Sequence, residues 1–391
     1  MYTSSESVMT TWAKLGEEML GNEYFGKYLT SAQSISDELL LSIPDISTKS
    51  DLEKVKAIDS YMKKNFSWNG RDDKFTDSNA KLFLSKKTGN AAEINLFETA
   101  LLTKAGIKAY PVILSTRDHG KISKNYPFHH FFNYVITSAK INGTTILLDA
   151  TNLLNPYDVL PSKCLNDSGL VIQKNQVRWE KIANTSISKT VYDFTIHPNT
   201  KQNHVDQECL LSATGYDAID FRNQFIYSYK DLKEKMLDGN TYTTDTLSQE
   251  NLNNIDKPFI LKFKKEYPME YVDNKIIIAP FSNIPITDNP LQQDSRTFPI
   301  DMTYPHINQF HSIVEVPEGY KLLSKPENMN LDNDNFKICY ISTLENGKVS
   351  IDGLYEFKHA IYDSSAYSEL KTAFKEIINK FNDKILLVKN L

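Results

Sequence analysis

The stretch from Asn90 to Gly106 constrains the fold of this chain more than any other. Asn90 can accept a hydrogen bond from the amide three residues on, while Glu93 reaches back to the Asn90 amide, the reciprocal pairing that starts a helix. Ile94, Phe97, Leu101 and Ala105 then form one apolar stripe, and Gly106 supplies the left-handed stop. A strand, Ala109 to Leu114, follows at once. The chain must therefore turn straight back along its own helix, which leaves the helix N-terminus pointing at whatever the returning strands carry. Phe131 to Thr137 and Thr144 to Asp149 read as two further strands, joined by the hairpin signal Asn142-Gly143.

Upstream, residues 6–42 read as helical, with breaks around Gly21-Asn22 and Ser31-Ala32. Ser50 and Glu53 form a second capping box, followed by Val55, Ile58 and Met62 at inward-facing helical spacing. Helices followed by an antiparallel sheet make an α+β domain, expected over residues 1–185. From 186 to 391 short alternating runs dominate: Thr190 to Ile196, Glu208 to Gly215, Phe259 to Phe263, Lys275 to Ala279, Ser312 to Val316, Phe336 to Leu344 and Lys348 to Phe357. Turn signals separate them, a pattern that predicts a β-sandwich. Helix-like segments interrupt it between Tyr216 and Asp256. A last helix is expected from a Ser365 cap to Phe381, burying Tyr367, Leu370, Phe374 and Ile378, with a terminal strand from Ile385 to Val388. A length of 391 residues also exceeds one ordinary core.

A net charge of −5 argues against nucleic acid or an anionic membrane as the main partner. No apolar run approaches the roughly 18 residues of a membrane span. Cys164, Cys209 and Cys339 are odd in number and widely spaced, so they suggest neither a disulfide framework nor a zinc cluster. The start, Met1 to Glu6, lacks the basic and apolar regions of a signal peptide; a preceding domain and an export signal can both lie outside this sequence. No cofactor and no metal is expected, and the oligomeric state is left open.

Gly89-Asn90-Ala91-Ala92-Glu93, Phe132-Asn133-Tyr134-Val135 and Leu147-Leu148-Asp149-Ala150-Thr151, with Trp68 and Gly106-Ile107 in order, resemble the transglutaminase-like superfamily, relatives of papain-type cysteine enzymes. The resemblance covers roughly residues 50 to 165. It implies a nucleophilic cysteine at position 91, a base histidine at 134 and an orienting acid at 149. Such an enzyme attacks with a thiolate favoured by the helix N-terminus, while the imidazole takes the proton and the carboxylate fixes its tautomer. Here Ala91 has no lone pair, Ala92 offers none either, and a phenol such as Tyr134, with an ordinary pKa of about 10, stays protonated at neutral pH. Only Asp149 remains. In the later half, Gly215-Tyr216-Asp217-Ala218 with Arg222, Arg296-Phe298-Pro299, Pro317-Glu318-Gly319-Tyr320 and the Tyr367-Leu370 helix resemble an uncharacterised β-sandwich domain that follows transglutaminase-like domains in exported bacterial proteins. That resemblance implies a periplasmic or cell-surface location.

The function these residues favour is a catalytically inactive transglutaminase-like module that binds or scaffolds. Its old cleft would hold a peptide or a cell-wall, glycan-linked peptide, with Trp68, Asn90, Glu93, Arg117, His130 and Tyr134 as candidate cleft residues. Several have blander roles: Glu93 as half of the capping box, Asp149 as a turn cap, Arg117 as a solvated loop residue. Two alternatives stand beside it, a hydrolase rewired around Glu93, Asp149 and His130, and a purely structural assembly domain. His129 and His130, if on a strand, point to opposite faces and cannot share a metal, with His119 in the loop before them. Cys164 lacks a helix N-terminus to activate it. Asp332-Asn333-Asp334 lacks the glycine and closing glutamate of a calcium loop and reads as a turn.

Overall fold

The helix opened by Asn90 runs through the middle of the first of two units, Met1–Thr185 and Ser186–Leu391. The computed structural model describes residues 11–182, 187–237 and 247–390. Residues 6–10 of the expected helical stretch, the expected boundary at 185, and residues 238–246 of the insertion lie outside the described residues.

The first unit opens with α1 (Trp12–Gly21), a π-helical turn (Glu23–Lys27), α2 (Tyr28–Ser34) and α3 (Ser36–Leu41). The expected break at Ser31-Ala32 is not there. Ala32 is buried inside α2, and the chain steps at Ile35 instead, where the Ser36 hydroxyl donates to the Ala32 carbonyl at 2.7 Å. In α4 (Asp51–Asn65) the Ser50–Glu53 capping box is formed, and Val55, Ile58 and Met62 are fully buried as their spacing predicts. β1 (Ser67–Trp68) pairs in parallel with β2 (Thr88–Gly89), and between them lies α5 (Ala80–Lys86), a short helix no sequence signal marked.

α6 (Ala91–Lys104) packs against α2 and α4 on one side and against β3 (Lys108–Leu114) and β4 (Tyr134–Ile141) on the other. The expected single apolar stripe is corrected by this packing: every residue from Ala91 to Leu102 is buried, Asn95, Glu98 and Thr99 included. A helix enclosed on all sides needs polar partners for such residues. Gly106 takes φ +90° and ends the helix as expected. With β5 (Thr144–Leu148), β6 (Ser168–Gln173) and β7 (Gln176–Lys181), the sheet runs β5-β4-β3-β6-β7 and is antiparallel throughout. The turn between β4 and β5 is the expected Asn142-Gly143, with φ of 49° and 86°. β4 starts later than expected, because His129–Phe131 form a 3-10 turn rather than strand.

The second unit is sheet-rich. In chain order it comprises β8 (Ser188–Asn199), β9 (His204–Thr214), α7 (Gly215–Tyr227), α8 (Tyr229–Leu237), β10 (Ser248–Glu250), β11 (Phe259–Pro268), β12 (Glu270–Val272), β13 (Lys275–Ile278), β14 (Ile300–Asp301) and β15 (His306–Glu315). β16 (Tyr320–Ser324), β17 (Met329–Asp332), β18 (Phe336–Glu345), β19 (Lys348–Phe357), β20 (Ile361–Tyr362), α9 (Tyr367–Phe381) and β21 (Ile385–Lys389) complete it. Eight strands form one sheet, β10-β11-β9-β8-β15-β19-β18-β17, in which only the β8–β15 pairing is parallel; four form a second, β12-β13-β21-β16. One face of the large sheet shares a core with α9 and the small sheet. Phe381 of α9 lies with its ring centroid 5.2 to 5.5 Å from those of Phe310, Tyr340 and Tyr355, while Ile276, Ile278, Ile385 and Leu387 belong to the same cluster. Two expectations for α9 are corrected. Ser365 lies in a 3-10 turn and the N-cap is Ala366, with no side-chain bond; and Ile377, rather than Ile378, is buried.

Candidate functional site

At the N-terminus of α6 the amides of Asn90, Ala91 and Glu93 are engaged. The Asn90 amide donates to Glu93 Oε2 at 2.9 Å, the Glu93 amide to Asn90 Oδ1 at 2.9 Å, and the Ala91 amide to the Arg71 carbonyl at 3.1 Å. Glu93 Oε1 accepts from the Ser78 hydroxyl at 2.5 Å, and Asn90 Nδ2 donates to the Phe75 carbonyl at 2.9 Å. Gly89 is required here, because a Cβ would lie 2.7 Å from Glu93 Oε2 and 2.8 Å from the Phe83 ring. The helix end thus carries its positive partial charge into a closed ring of side-chain and carbonyl acceptors.

Behind this end, Ala91, Tyr134 and Cys164 belong to one buried cluster with Val112, Leu114 and Leu160. Positions 91 and 134, paired by the family resemblance, are therefore brought together, and a thiol sits among them. Tyr134 is fully buried. Its hydroxyl lies 3.1 Å from Thr151 Oγ1, and Thr151 Oγ1 in turn makes a short hydrogen bond to Asp149 Oδ1. Thr151 has one hydroxyl proton and a carboxylate only accepts, so Tyr134 is the donor and the chain runs Tyr134 to Thr151 to Asp149. The Thr151 amide also donates to Asp149 Oδ1, at 2.9 Å. Burial, then the negative charge of Asp149, push the Tyr134 phenol well above its ordinary pKa. Burial first and Asp149 second do the same to the Cys164 thiol, against an opposing pull from Lys163. A thiolate is disfavoured at this position.

Asn95, one turn along α6, holds the far side. Its Nδ2 donates to the Val135 carbonyl at 2.8 Å and to Asp149 Oδ2 at 3.0 Å, and its Oδ1 accepts from the Ala150 amide at 2.9 Å. Deeper still, Lys63 Nζ lies 2.9 Å from Asp59 Oδ1 and donates to the Asn155 carbonyl at 3.0 Å. Burial pushes the Asp59 carboxyl up to about 6, against the pull of Lys63. Glu98 is fully buried, and burial, with Asp59 adding to it, raises its carboxyl well above the ordinary range. None of Asn95, Glu98, Asp59 or Lys63 is among the candidates drawn from the sequence; the legible signal is polar residues recurring inside a helix otherwise apolar enough to be buried.

The outer side is covered by the segment around the 3-10 turn Ser162–Cys164. Lys163 Nζ stands 4.0 Å from the Trp68 ring centroid and 4.6 Å from that of Tyr134, and pairs with Asp72 Oδ1 at 2.7 Å. A cation between two aromatic faces, with its counter-ion beside it, is a stable filling. The segment is tied down from behind: the Arg117 amide donates to the Lys163 carbonyl at 2.9 Å, and Asn166 Nδ2 donates to the Gly120 carbonyl at 2.8 Å.

The candidate cleft residues therefore divide. Trp68 is half-buried beneath Lys163, its indole donating to the Arg71 carbonyl at 2.9 Å. Asn90, Glu93 and Tyr134 are buried, so Tyr134 does not line an open mouth. Arg117 is half-buried, its guanidinium 3.5 Å from the Leu165 carbonyl, rather than a solvated loop residue. His130 is exposed on the 3-10 turn, its carbonyl 2.9 Å from His119 Nε2. His129 and His130 do not point to opposite faces, since the turn brings their ring centroids to 4.0 Å. Glu93 is committed to the helix cap and to Ser78, and Asp149 to Asn95 and Thr151. Asp332-Asn333-Asp334 is a turn, with Asn333 Oδ1 accepting the Asn335 and Phe336 amides at 2.9 Å each.

Residues 44–144 match the family model of the transglutaminase-like superfamily, and residues 274–387 match that of a domain of unknown function, DUF3858. No curated protein matches the sequence. Among solved structures, a crystal structure from Parabacteroides distasonis, named provisionally as a protease, is similar over 99% of this chain with a TM-score of 0.51 at 12% identity. This chain covers 63% of that protein, less than two thirds of its length. At that identity the likeness speaks for the fold alone. The chain thus joins a transglutaminase-like domain to a sheet-rich domain that carries the DUF3858 match.

Proposed function

We propose that this protein is a catalytically inactive transglutaminase-like protein that serves as a scaffolding or recognition module. The observation that carries this is the methyl group of Ala91, buried at the start of α6 in one cluster with a phenol that donates its proton toward Asp149. Acyl transfer needs a nucleophile and a base, and neither position supplies one. Cys164 does not replace the nucleophile, because its thiol is buried and its pKa is raised. The Ala91 amide, a donor that could stabilise an oxyanion, is taken by the Arg71 carbonyl.

The filling of the old cleft favours scaffolding over recognition at that place. A peptide or glycan-linked peptide reaches Tyr134 only if Lys163 leaves Trp68 and Asp72. The expected periplasmic or cell-surface location belongs to this proposal and rests on the resemblance. The test is a peptidase and transamidation screen over peptide and cell-wall peptide substrates, with a parallel sample blocked by a cysteine reagent. No turnover is expected in either sample. Robust turnover abolished by the reagent would overturn the proposal.

A further inference from the structure

We propose that His204, Asp206 and Glu266, on the more open face of the eight-stranded sheet, form a binding site for one divalent transition-metal ion. The strand geometry assembles it. His204 and Asp206 are two apart on β9 and so share a face, and Glu266 on β11 is the direct cross-strand partner of Asp206. One ligand atom from each residue, a ring nitrogen and two carboxylate oxygens, lies within 4.8 Å of the other two. His204 Nε2 is 3.2 Å from Asp206 Oδ2, and His204 Nδ1 is 3.5 Å from Glu266 Oε1. Two ligands with bonds of about 2.0 to 2.1 Å at a tetrahedral angle stand about 3.3 Å apart, so the His204–Asp206 spacing is already that of a chelate. The two carboxylates face different ring nitrogens, so an ion held by Nε2 and Asp206 requires the Glu266 side chain, 34% exposed, to swing round the edge of the ring.

Two further features favour an ion over a simple charge cluster. Like charges directly opposite on neighbouring strands repel, and the rung next along the same face pairs Lys264 with Glu208 instead. At the 206–266 rung two acids face each other with the His204 ring between them, and a dication held by all three would offset both charges. The His204 side chain is 13% exposed while those of Asp206 and Glu266 are 50% and 34% exposed, so the nitrogen is held in place and the oxygens can move. One neutral imidazole and two carboxylates suit Zn²⁺, Co²⁺ or Ni²⁺, with water completing the shell on the solvent side. The site lies in the second unit and stands independently of the inactive-enzyme proposal.

The test uses the full chain stripped with a chelator. Titration calorimetry with Zn²⁺ at about pH 7.5 is expected to give one saturable site per chain, and Co²⁺ a visible absorption band that Zn²⁺ displaces. His204→Ala and the near-isosteric Glu266→Gln are each expected to weaken binding at least about tenfold, with circular dichroism confirming the fold. Should the histidine variant fail to fold, proton NMR of His204 in the native chain decides: its ring signals shift or broaden on Zn²⁺ addition. The absence of saturable one-to-one binding, or binding undiminished in Asp206→Asn/Glu266→Gln, would overturn the proposal and leave His204 a structural ion-pair partner.

Discussion

Replacing Asp59 by asparagine should reduce the pH dependence of the first unit's stability between about pH 4 and 6.5. Burial pushes the Asp59 carboxyl up to about 6 in the folded chain, whereas an unfolded aspartate titrates near 3.9. The folded value is raised, so the proton favours the native state. The contribution is fully present below about pH 4 and is lost as pH rises through about 6. A difference of about two pH units corresponds to on the order of 3 kcal/mol. Lys63, 2.9 Å from Asp59 Oδ1, acts against the raised pKa, and its pull is already contained in the value of about 6.

The placement of the fluorophores makes the assay selective. Trp12, Trp68 and Trp179 are the three tryptophans of the chain, and all lie in the first unit. Urea unfolding followed by tryptophan emission therefore reports that unit. Glu98 is shifted in the same direction and Asp59 adds to that shift, so the difference between the two proteins reports the lost Asp59 titration together with its effect on Glu98. Above about pH 6, where Asp59 is ionised, Asp59→Asn also removes the counter-charge of the buried Lys63, so the absolute level of stability shifts with it. The slope, rather than the level, is the readout. If the single variant is too unstable to measure, Asp59→Asn/Lys63→Met removes both partners and should show the same reduced slope, with Glu98 supplying what remains. Parallel curves for the native chain and the variants from about pH 4.5 to 7 would refute the buried, raised carboxyl.

Two other perturbations address the candidate site. Ala91→Cys alone should leave peptidase and transamidase activity at background, whereas Ala91→Cys/Tyr134→His should make the new thiol react faster with iodoacetamide at about pH 7, by at least about tenfold, because an imidazole supplies the missing base. Turnover by the single variant would contradict the need for position 134. Asn95→Ala should cost at least about 3 kcal/mol in the same tryptophan-detected unfolding, since it strips the Val135 carbonyl, the Ala150 amide and Asp149 of a buried partner together; a loss below about 1 kcal/mol would show that solvent or neighbours replace all three.

The helix at the centre of the first unit is legible in the sequence because its signals are local. A capping box, a glycine stop and an immediate strand concern residues a few positions apart, and all three form. Expectation and structure part where distant contacts decide. Ser31-Ala32 has the composition of a break, yet Ala32 is buried in α2 and the chain steps at Ile35. Phe131 to Asn133 alternate like a strand, yet Phe131 closes the 3-10 turn that starts at His129 and β4 starts only at Tyr134. The sheet-rich character of the second unit follows from alternation with period two, but nothing local announces that β8 and β15, far apart in the chain, pair in parallel.

The site is half legible for the same reason. The family resemblance points to positions 91, 134 and 149, but what each side chain touches depends on neighbours that sequence distance hides. Asp149 is the informative case. The family resemblance puts Asp149 where an acid would orient a histidine, which invites the view that it is a relic or a turn cap. A fully buried phenol, however, must find an acceptor for its proton or forfeit about 1 to 3 kcal/mol. Asp149 supplies that acceptor through Thr151, and is itself fixed by Asn95 from the core side. A tyrosine at position 134 therefore makes the carboxylate more necessary rather than less, and the acid that would have oriented an imidazole becomes the anchor that allows a tyrosine to be buried in its place.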